Sequence, residues 1–306
     1  MSTQYFRFSV RHATDRLRSD LLERLLARSD QSTAIVDWRA DAFHAIAPQA
    51  PTMPGLSAVA LFAASGVVGE AWVFFATPVR YVAEMSNVRM ATDGILSLSH
   101  AEAETLAGDF NRVWHDAGIR LMTGRSAELF CVVEQPLPAT TRDPEDVLDR
   151  HIDNYLPSGA GAARLRQLMS EIEMWLFDHA VNRTRMACDV PQVTGLWLWG
   201  GGATLASLPS VQGWTAGNDP FFGSFPGAGT GAADGADSGV IVAADAPGTE
   251  AWREVESRWI EPALEQLRSG RLSRVELSAG DRCFSLSARW SWRFWRRRRP
   301  WWEAFT

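Results

Sequence analysis

The sequence predicts an α/β protein whose N-terminal part is α+β and whose later part is a mixed sheet covered by helices. Two observations predict this class. Residues 57–98 contain short apolar runs separated by turn residues, which is typical of an antiparallel meander. After residue 160 helical and strand patterns alternate, which favours a mixed or parallel sheet covered by helices. At 306 residues the chain can bury a full core, as one large domain or two small ones.

The first 135 residues are expected to form an α+β subdomain. Apolar residues at helical spacing, or a capping signal, predict helices over 14–29, 33–46 and 99–117. Ser99 and Glu102 have the spacing of a capping box, and Gly118 is a typical C-terminal stop. Strands are expected at 57–64, 71–76, 79–82, 88–90, 95–98, 119–122 and 129–134. The last of these is apolar on both faces, so we expect it to be central in its sheet.

The second half is expected to follow a connector at residues 136–160, which contains a short helix at 144–151. The predicted elements are a long helix 161–186, a strand 194–199, a Gly/Ala-rich loop 224–238, a strand 240–243, a helix 249–268 and a hairpin of 271–278 with 283–286. The expected division is therefore 1–135, the connector 136–160, an α/β subdomain 161–288 and a basic aromatic tail 289–306.

Composition excludes several classes of function. The chain contains no lysine, which excludes a Schiff-base lysine, a P-loop lysine and a kinase-type lysine. Its three cysteines lack metal-binding spacing, which argues against a cysteine-based zinc site and fits a reducing compartment. No secretory signal and no apolar run of spanning length is found, so we expect a cytoplasmic protein without a transmembrane segment. The net charge of −6 makes broad nucleic-acid binding an unfavoured interpretation.

Candidate ligand-binding residues concentrate in the segment 171–202. On one continuous helix, His179, Asn182 and Arg185 would lie at i, i+3 and i+6. They would converge with a glycine turn on a carboxylate or phosphate; the alternative is that they cap the helix and tie it to the next loop. The other predicted members of this ligand site are Trp199, Gly200, Gly201 and Gly202.

The remaining candidate residues also have structural interpretations. Three consecutive glycines after a strand bring backbone N–H groups to an anion, or simply form a tight turn. Trp197 and Trp199 fall on the same face of the predicted strand, where they would stack on a ligand or pack in the core. Asp219 and Asp245 follow predicted strands and are ligand candidates or turn residues.

The segment 179–202 resembles a motif of the archaeal-type, cofactor-independent phosphoglycerate mutases. The matching positions are His179, Val181, Asn182, Arg185, Pro191, Val193, Gly200 and Gly202. The chain departs from the motif at Ala180, Thr194 and Trp199, and the last change places an indole where the mutases tend to have an arginine. The mutases need a two-metal core rich in Asp and His and a serine nucleophile, because a phosphoserine intermediate requires a metal-activated hydroxyl. We find no such Asp/His cluster in the sequence, and no His follows His179.

A second resemblance covers nearly the whole chain. The runs 156–159 (LPSG), 179–182 (HAVN), 196–202 (LWLWGGG) and 294–300 (FWRRRRP) are similar to those of the bacterial RpfE-type regulatory proteins. The two resemblances together imply a non-catalytic regulatory relative of the mutases that binds a small phosphorylated or carboxylated metabolite. Because the Asp/His core is missing from the sequence, we expect no metal and no cofactor, and the catalytic residues are unknown.

Two alternatives stay open. The first is an active cofactor-independent phosphoglycerate mutase or phosphatase with an unfamiliar centre. The second is an interaction module whose tail, Arg289–Trp302, docks a protein or an anionic surface, since this stretch contains six Arg and no acid. The same tail would otherwise bind the acidic body of the chain through ion pairs and cation–π contacts.

Overall fold

The computed structural model of the chain describes residues 2–8, 19–32, 37–50, 52–66, 70–85, 87–217, 219–225, 238–243, 248–279, 282–288, 297–300 and 303. Most of the predicted loop 224–238, Asp245 and most of the predicted tail fall outside these residues. The chain divides into two compact units, one of Met1–Met53 with Pro209–Thr306 and one of Pro54–Leu208. Among the described helices, none has the length and apolar content needed to span a membrane.

The first unit is built on a mixed sheet. Its described strands are β1 (Thr3–Phe8), β2 (Asp30–Ser32), β8 (Trp214–Gly217), β9 (Gly239–Ala243), β10 (Arg274–Ala279) and β11 (Arg282–Ser287). They lie in the order β2-β11-β10-β1-β9-β8, with β1 parallel to both β9 and β10, and β8 parallel to β9. The expected hairpin of β10 and β11 is confirmed as an antiparallel pair.

Helices supply the rest of the first unit. They are α1 (Asp20–Arg28), α2 (Trp38–Ile46), α7 (Gly248–Val255) and α8 (Glu261–Arg268). A π-helical turn, Glu256–Ile260, joins α7 to α8 just before Pro262, which has no N–H to donate to the helical ladder. One face of the sheet packs on an apolar core that includes Phe6, Leu264 and Leu277.

The second unit contains an antiparallel sheet. Its strands are β3 (Trp72–Ala83), β4 (Val88–Ile95), β5 (Ile119–Thr123), β6 (Leu129–Val133) and β7 (Gly195–Ala203). The order is β4-β3-β6-β5, and β7 also pairs with β3. The expectation that the strand after residue 128 is central is confirmed, since β6 lies between β3 and β5 and all its residues are buried.

The helices of the second unit include one that begins at the predicted capping box. They are α3 (Leu56–Ser65), α4 (His100–Val113), α5 (Ala162–Phe177) and α6 (Ala180–Ala187), with 3-10 turns at His115–Ala117, Pro144–Val147 and Ile152–Tyr155. The capping box of α4 is confirmed: Ser99 Oγ accepts the N–H of Glu102, and the Glu102 carboxylate accepts the N–H of Ser99. Gly118 ends the following turn in the left-handed region, at φ 65°.

Three expectations about the strands are wrong. The apolar run 57–64 is helix α3, because its Ala and Leu residues favour a helix and its apolar residues do not alternate. The strands expected at 88–90 and 95–98 are not separated by a turn: β4 continues through Asp93 and Gly94 to Ile95, with a register shift opposite β3. The two strands expected at 71–76 and 79–82 are one strand, β3, which contains Pro78.

The two compact units have different bounds from the subdomains expected at 1–135 and 161–288. The difference has a physical cause in the first sheet. β1, from the N-terminus, pairs with β9 and β10 from the C-terminal third, so both ends of the chain belong to one unit. Such long-range parallel pairing leaves no local signal in the sequence.

Candidate functional site

The helix expected over 161–186 is broken where the candidate residues begin. α5 ends at Phe177, and Asp178 leaves the helix with φ −116° and ψ 29°. His179 has extended backbone and acts as the N-cap of α6, where its Nδ1 accepts the N–H of Val181 at 3.2 Å. The expected i, i+3, i+6 arrangement on one continuous helix is therefore wrong, because a side-chain cap replaces the backbone ladder at residue 179.

His179 is buried and is held at both ring nitrogens. Its Nε2 lies 3.1 Å from Asp109 Oδ2, and its ring centroid is 4.6 Å from that of Trp175. Since Nδ1 accepts a backbone N–H, the proton of the neutral ring lies on Nε2 and is donated to Asp109. Burial lowers the pKa of His179 despite the opposing effect of Asp109, which favours this neutral form.

Asn182 ties three backbone groups together. Its Nδ2 donates to the carbonyls of Leu176 and Val193, each at 2.8 Å, and its Oδ1 accepts the N–H of Val193 at 2.8 Å. The side chain is buried. Asn182 therefore connects the C-terminal end of α5, and the segment that leads into β7, to α6.

Arg185 is buried and binds three groups of the same unit. Nε donates to the Pro191 carbonyl at 2.7 Å, and Nη1 donates to Glu102 Oε1 at 2.8 Å and to the Ser97 carbonyl at 3.3 Å. Burial opposes the ionisation of Glu102, but its bonds from Ser99 and Arg185 hold the pKa of this carboxyl below its ordinary value. The guanidinium thus joins the α6–β7 connection to the capping box of α4.

These bonds are the ones expected from the structural interpretation of the segment. His179 caps a helix, and Asn182 and Arg185 tie that helix to its neighbours through backbone carbonyls. A ligand would compete with these internal partners for the same polar atoms. The binding of a ligand by these three residues stays a prediction.

The three glycines lie within a strand, so the expected glycine turn is wrong. Gly200, Gly201 and Gly202 are part of β7, which pairs with β3 and shifts register between Val73 and Phe75. Gly200 has φ +65° and donates its N–H to Thr141 Oγ1 at 3.1 Å. Its backbone therefore bends the strand at the register shift, where a side chain would be strained.

The close approach of neighbouring atoms explains Gly201 and Gly202. A Cβ built on Gly202 would lie 2.5 Å from the Cα of Gly55, just before α3. A Cβ on Gly201 would lie 2.4 Å from the ring of Phe74. These positions let α3 and an aromatic side chain pack directly on the strand backbone.

Both tryptophans of β7 pack in the core. Trp197 is 1% exposed and donates Nε1–H to the Arg142 carbonyl. Trp199 is 7% exposed, stacks on Phe75 at 4.9 Å and donates Nε1–H to Thr77 Oγ1. The core interpretation accounts for both residues, and ligand stacking by Trp199 stays a prediction.

No group of three or more His, Cys, Asp or Glu side chains that could hold a metal ion occurs among the residues that the structure describes. Asp219, expected to be a ligand or a turn residue, is a turn residue. Its Oδ1 accepts the N–H groups of Phe221 and Phe222, which begin a 3-10 turn.

A cationic cluster that the sequence analysis did not identify lies in the first unit. The Arg7 guanidinium stands 4.9 Å from the centroid of the Trp38 ring, and the Arg39 guanidinium stands 4.4 Å from the same centroid. Arg39 also forms a buried ion pair with Asp219, with Nε and Nη2 at 3.0 and 2.9 Å from Oδ2. The adjacent Trp38 and Arg39 were the only indication of this cluster in the sequence, and no local pattern indicated that Arg7 would lie beside them.

This cluster lies at the carboxyl ends of parallel strands. Arg7 is the penultimate residue of β1, and Asp219 follows the last residue of β8 by two positions. β9 lies between these two strands and runs in the same direction. Ligands of open α/β sheets bind in the crevice outside the carboxyl ends of the strands. We therefore treat Arg7, Trp38 and Arg39, with Asp219 as their support, as a second candidate site.

Part of the chain is similar in sequence to a known enzyme. No protein-family model matches the chain. Over 127 residues it is 28% identical to the 2,3-bisphosphoglycerate-independent phosphoglycerate mutase of Methanothrix thermoacetophila, a match that covers 40% of this chain and 32% of that enzyme. The chain thus matches about a third of the length of this relative.

Two solved structures align with most of the chain, both at TM-scores below 0.5. The cofactor-independent phosphoglycerate mutase from Thermoplasma acidophilum DSM 1728 has a TM-score of 0.35 at 12% identity, over 94% of this chain and 90% of that one. The PH0037 protein from Pyrococcus horikoshii has a TM-score of 0.46 at 12% identity, over 94% and 87%. Part of the chain is therefore similar in sequence to a phosphoglycerate mutase, while the resemblance to RpfE-type proteins stays a prediction.

Proposed function

We propose that this chain is a non-catalytic regulatory protein, related to the phosphoglycerate mutases, that binds a small phosphorylated or carboxylated acid. The observation that carries the proposal is the pair of guanidinium groups over the Trp38 ring at the carboxyl ends of parallel strands. The sequence similarity to a phosphoglycerate mutase supports the choice of ligand class.

The chemistry of the cluster suits an acid with two anionic ends. Guanidinium groups bind carboxylate and phosphate through paired N–H donors. Trp38 restrains both Arg7 and Arg39 through cation–π contacts, and Asp219 fixes the orientation of Arg39. A phosphoglycerate has a carboxylate and a phosphate; in this proposal one anionic group meets Arg7, and the other shares the guanidinium of Arg39 with Asp219.

The non-catalytic, regulatory part of the proposal rests on the hydrogen bonds made by the segment that resembles the mutase motif. His179, Asn182 and Arg185 make their hydrogen bonds to the second unit itself. These bonds support a structural role for the segment that resembles the mutase motif. Ligand binding without turnover is the behaviour of a sensor.

The test measures thermal unfolding of the metal-stripped full chain with 3-phosphoglycerate, glycerate and inorganic phosphate. A ligand at 100 times its dissociation constant adds about 2.7 kcal/mol to the free energy of unfolding. For a domain of this size that raises the melting temperature by roughly 5 °C. We expect 3-phosphoglycerate to give this shift without added metal, and glycerate or phosphate to give a smaller one.

Two variants locate the site. Arg7→Gln should abolish the shift. Arg274→Gln is the matched control, since Arg274 begins β10 at the opposite end of the same sheet and pairs with Glu276. A shift that survives Arg7→Gln, or that is absent in the wild type, would refute the proposed site.

An enzymatic assay tests the regulatory part separately. Interconversion of 3- and 2-phosphoglycerate by the wild type, with Mg²⁺ or Mn²⁺ added, should not exceed that of the buffer. Metal-dependent turnover would refute the non-catalytic assignment and establish the mutase alternative.

A further inference from the structure

A group of arginines lies in the first unit on the opposite side of the sheet from Arg7. This α1–α8 arginine cluster consists of Arg24 and Arg28 of α1, Arg268 of α8, and Arg298. Helices α1 and α8 pack on the sheet face that carries Phe6. Arg7 follows Phe6 in β1, so its side chain points to the other face.

The positive charges of this cluster lie close enough to act on one another. Arg24 and Arg28 are four residues apart in α1, which places them about 6 Å apart along the helix axis and about 40° apart around it. The pKa of Arg28 is lowered first by burial and then by the charges of Arg24, Arg298 and Arg268. Like charges at this helical spacing disfavour the helix, so the fold holds these groups together against their repulsion.

The ends of the two helices account for only part of this arrangement. Arg28 lies in the last turn of α1 and Arg268 in the last turn of α8, where the helix dipole favours a cation. Arg24 lies one turn earlier in α1. Arg298 belongs to the predicted tail and forms an ion pair with Asp20, at the start of α1. The helix dipoles therefore do not explain why Arg24 and Arg298 join the cluster.

The acids that pair with two members of the cluster are exposed, whereas one of its donors is buried. The side chain of Asp20 is 73% exposed, and that of Glu265, 3.8 Å from Arg268, is 69% exposed, so solvent screens both pairs. By contrast, the Nε–H of Arg24 is buried and has no hydrogen-bond partner among the residues that the structure describes. A buried donor on a charged group requires an acceptor, and an acceptor shared by several guanidinium groups is an anion with several charges.

We propose that the α1–α8 arginine cluster binds a small oligophosphate. Guanidinium groups bind phosphate oxygens through paired N–H donors. An oligophosphate presents several adjacent charged groups to the cluster, whereas a carboxylate presents only one. The buried Nε of Arg24 favours a compact anion over a flat anionic surface, because a flat surface contacts only exposed groups.

The experiment is isothermal titration calorimetry of the full chain with inorganic tripolyphosphate, pyrophosphate and orthophosphate. We expect the affinity to rise with the number of phosphate groups. We also expect it to fall as salt is added, because salt screens the charges of exposed groups such as Arg298.

Two variants and a matched control locate the site. Arg24→Gln and Arg28→Gln should each weaken tripolyphosphate binding by about tenfold or more, as the loss of a charge-assisted hydrogen bond does. Arg258→Gln is the control, since the Arg258 side chain is 58% exposed in the same unit and pairs with Glu254. It should change the affinity by less than about twofold. Without ligand, Arg24→Gln should melt at or above the wild-type temperature, because it removes a like charge from α1.

The same variants separate this site from the one proposed at Arg7. Arg7→Gln should leave the affinity for tripolyphosphate unchanged. Arg24→Gln should leave the thermal shift with 3-phosphoglycerate unchanged. Each proposal can therefore fail while the other stands.

Three results would overturn the oligophosphate site. The first is a wild type that does not bind tripolyphosphate. The second is binding that is equally tight in Arg24→Gln and Arg28→Gln, or that is lost in Arg7→Gln instead. The third is sedimentation of the wild type with vesicles of equal parts phosphatidylglycerol and phosphatidylcholine, lost in Arg24→Gln, without affinity for tripolyphosphate. That last result would assign the cluster to a lipid surface.

Discussion

Replacing Arg185 by Met tests whether this side chain stabilises the fold. The residue is 5% exposed and donates to Glu102 and to the Pro191 carbonyl at 2.8 and 2.7 Å. Hydrogen bonds to charged groups contribute about 1.5–3 kcal/mol each, and removing one partner of a buried ion pair costs about 3–5 kcal/mol. The Glu102 side chain is 25% exposed, so water compensates part of this loss. We expect the free energy of unfolding to fall by about 3 kcal/mol.

The assay is urea unfolding followed by tryptophan fluorescence, with the midpoint and slope fitted together. Arg183→Met is the matched control, because Arg183 lies on the same helix with a side chain 59% exposed and an ion pair to Asp178. Its loss should change the free energy of unfolding by no more than about 0.5 kcal/mol. The contrast separates the buried guanidinium from the effect of removing any positive charge.

A double-mutant cycle with Glu102→Gln isolates the ion pair itself. Its coupling free energy should be about 1–3 kcal/mol at neutral pH. The folded pKa of Glu102 is lowered, so this stabilisation is complete above the unfolded pKa of about 4.3 and is lost as pH falls through the lower folded value. An Arg185→Met variant as stable as the wild type but with altered phosphoglycerate affinity would refute the structural role and restore the ligand-binding one.

Two further predictions concern the same unit. Burial lowers the folded pKa of His179, so the contribution of the neutral ring to the free energy of unfolding is complete above the unfolded pKa of about 6.5 and is lost as pH falls. Urea unfolding between about pH 5 and 8 should show this loss of stability. His179→Asn keeps an acceptor for the Val181 N–H, and it should remove this pH dependence. Gly202→Ala should reduce the melting temperature strongly or prevent soluble expression, because the new Cβ would meet the Gly55 backbone at 2.5 Å. Gly108→Ala, on α4 with no atom within 4 Å of the new Cβ, should instead stabilise by about 0.5–1 kcal/mol. A Gly202→Ala variant as stable as the wild type would contradict the close-approach explanation, and a pH dependence unchanged in His179→Asn would contradict the capping one.

Local signals in the sequence predicted the elements that local interactions determine. The capping box at Ser99 and Glu102 is a contact between residues three apart, so the sequence contains the whole interaction. The stop at Gly118 and the β10–β11 hairpin are equally local. The apolar run that forms α3 was misassigned because periodicity alone cannot separate a buried strand from a buried helix.

Sheet pairing across the chain could not be predicted in this way. β1 and β10 are separated by most of the sequence, and their parallel pairing depends on the packing of everything between them. The cluster of Arg7, Trp38 and Arg39 depends in the same way on a contact between separate elements, the packing of α2 on β1. Each residue alone has an ordinary sequence context, and only the fold places two guanidinium groups on one indole.

The pair of Arg185 and Glu102 shows why resemblance to a motif does not by itself establish a binding site. The sequence assigned Glu102 to a helix cap and Arg185 to a ligand, as two independent predictions. The structure joins them at 2.8 Å across 83 residues of chain. A buried guanidinium requires an acceptor, and that acceptor is provided either by a ligand or by the protein. Here the acceptor belongs to the cap of α4, so the residues that resemble the mutase motif hold α4, α5, α6 and the segment that leads into β7 together.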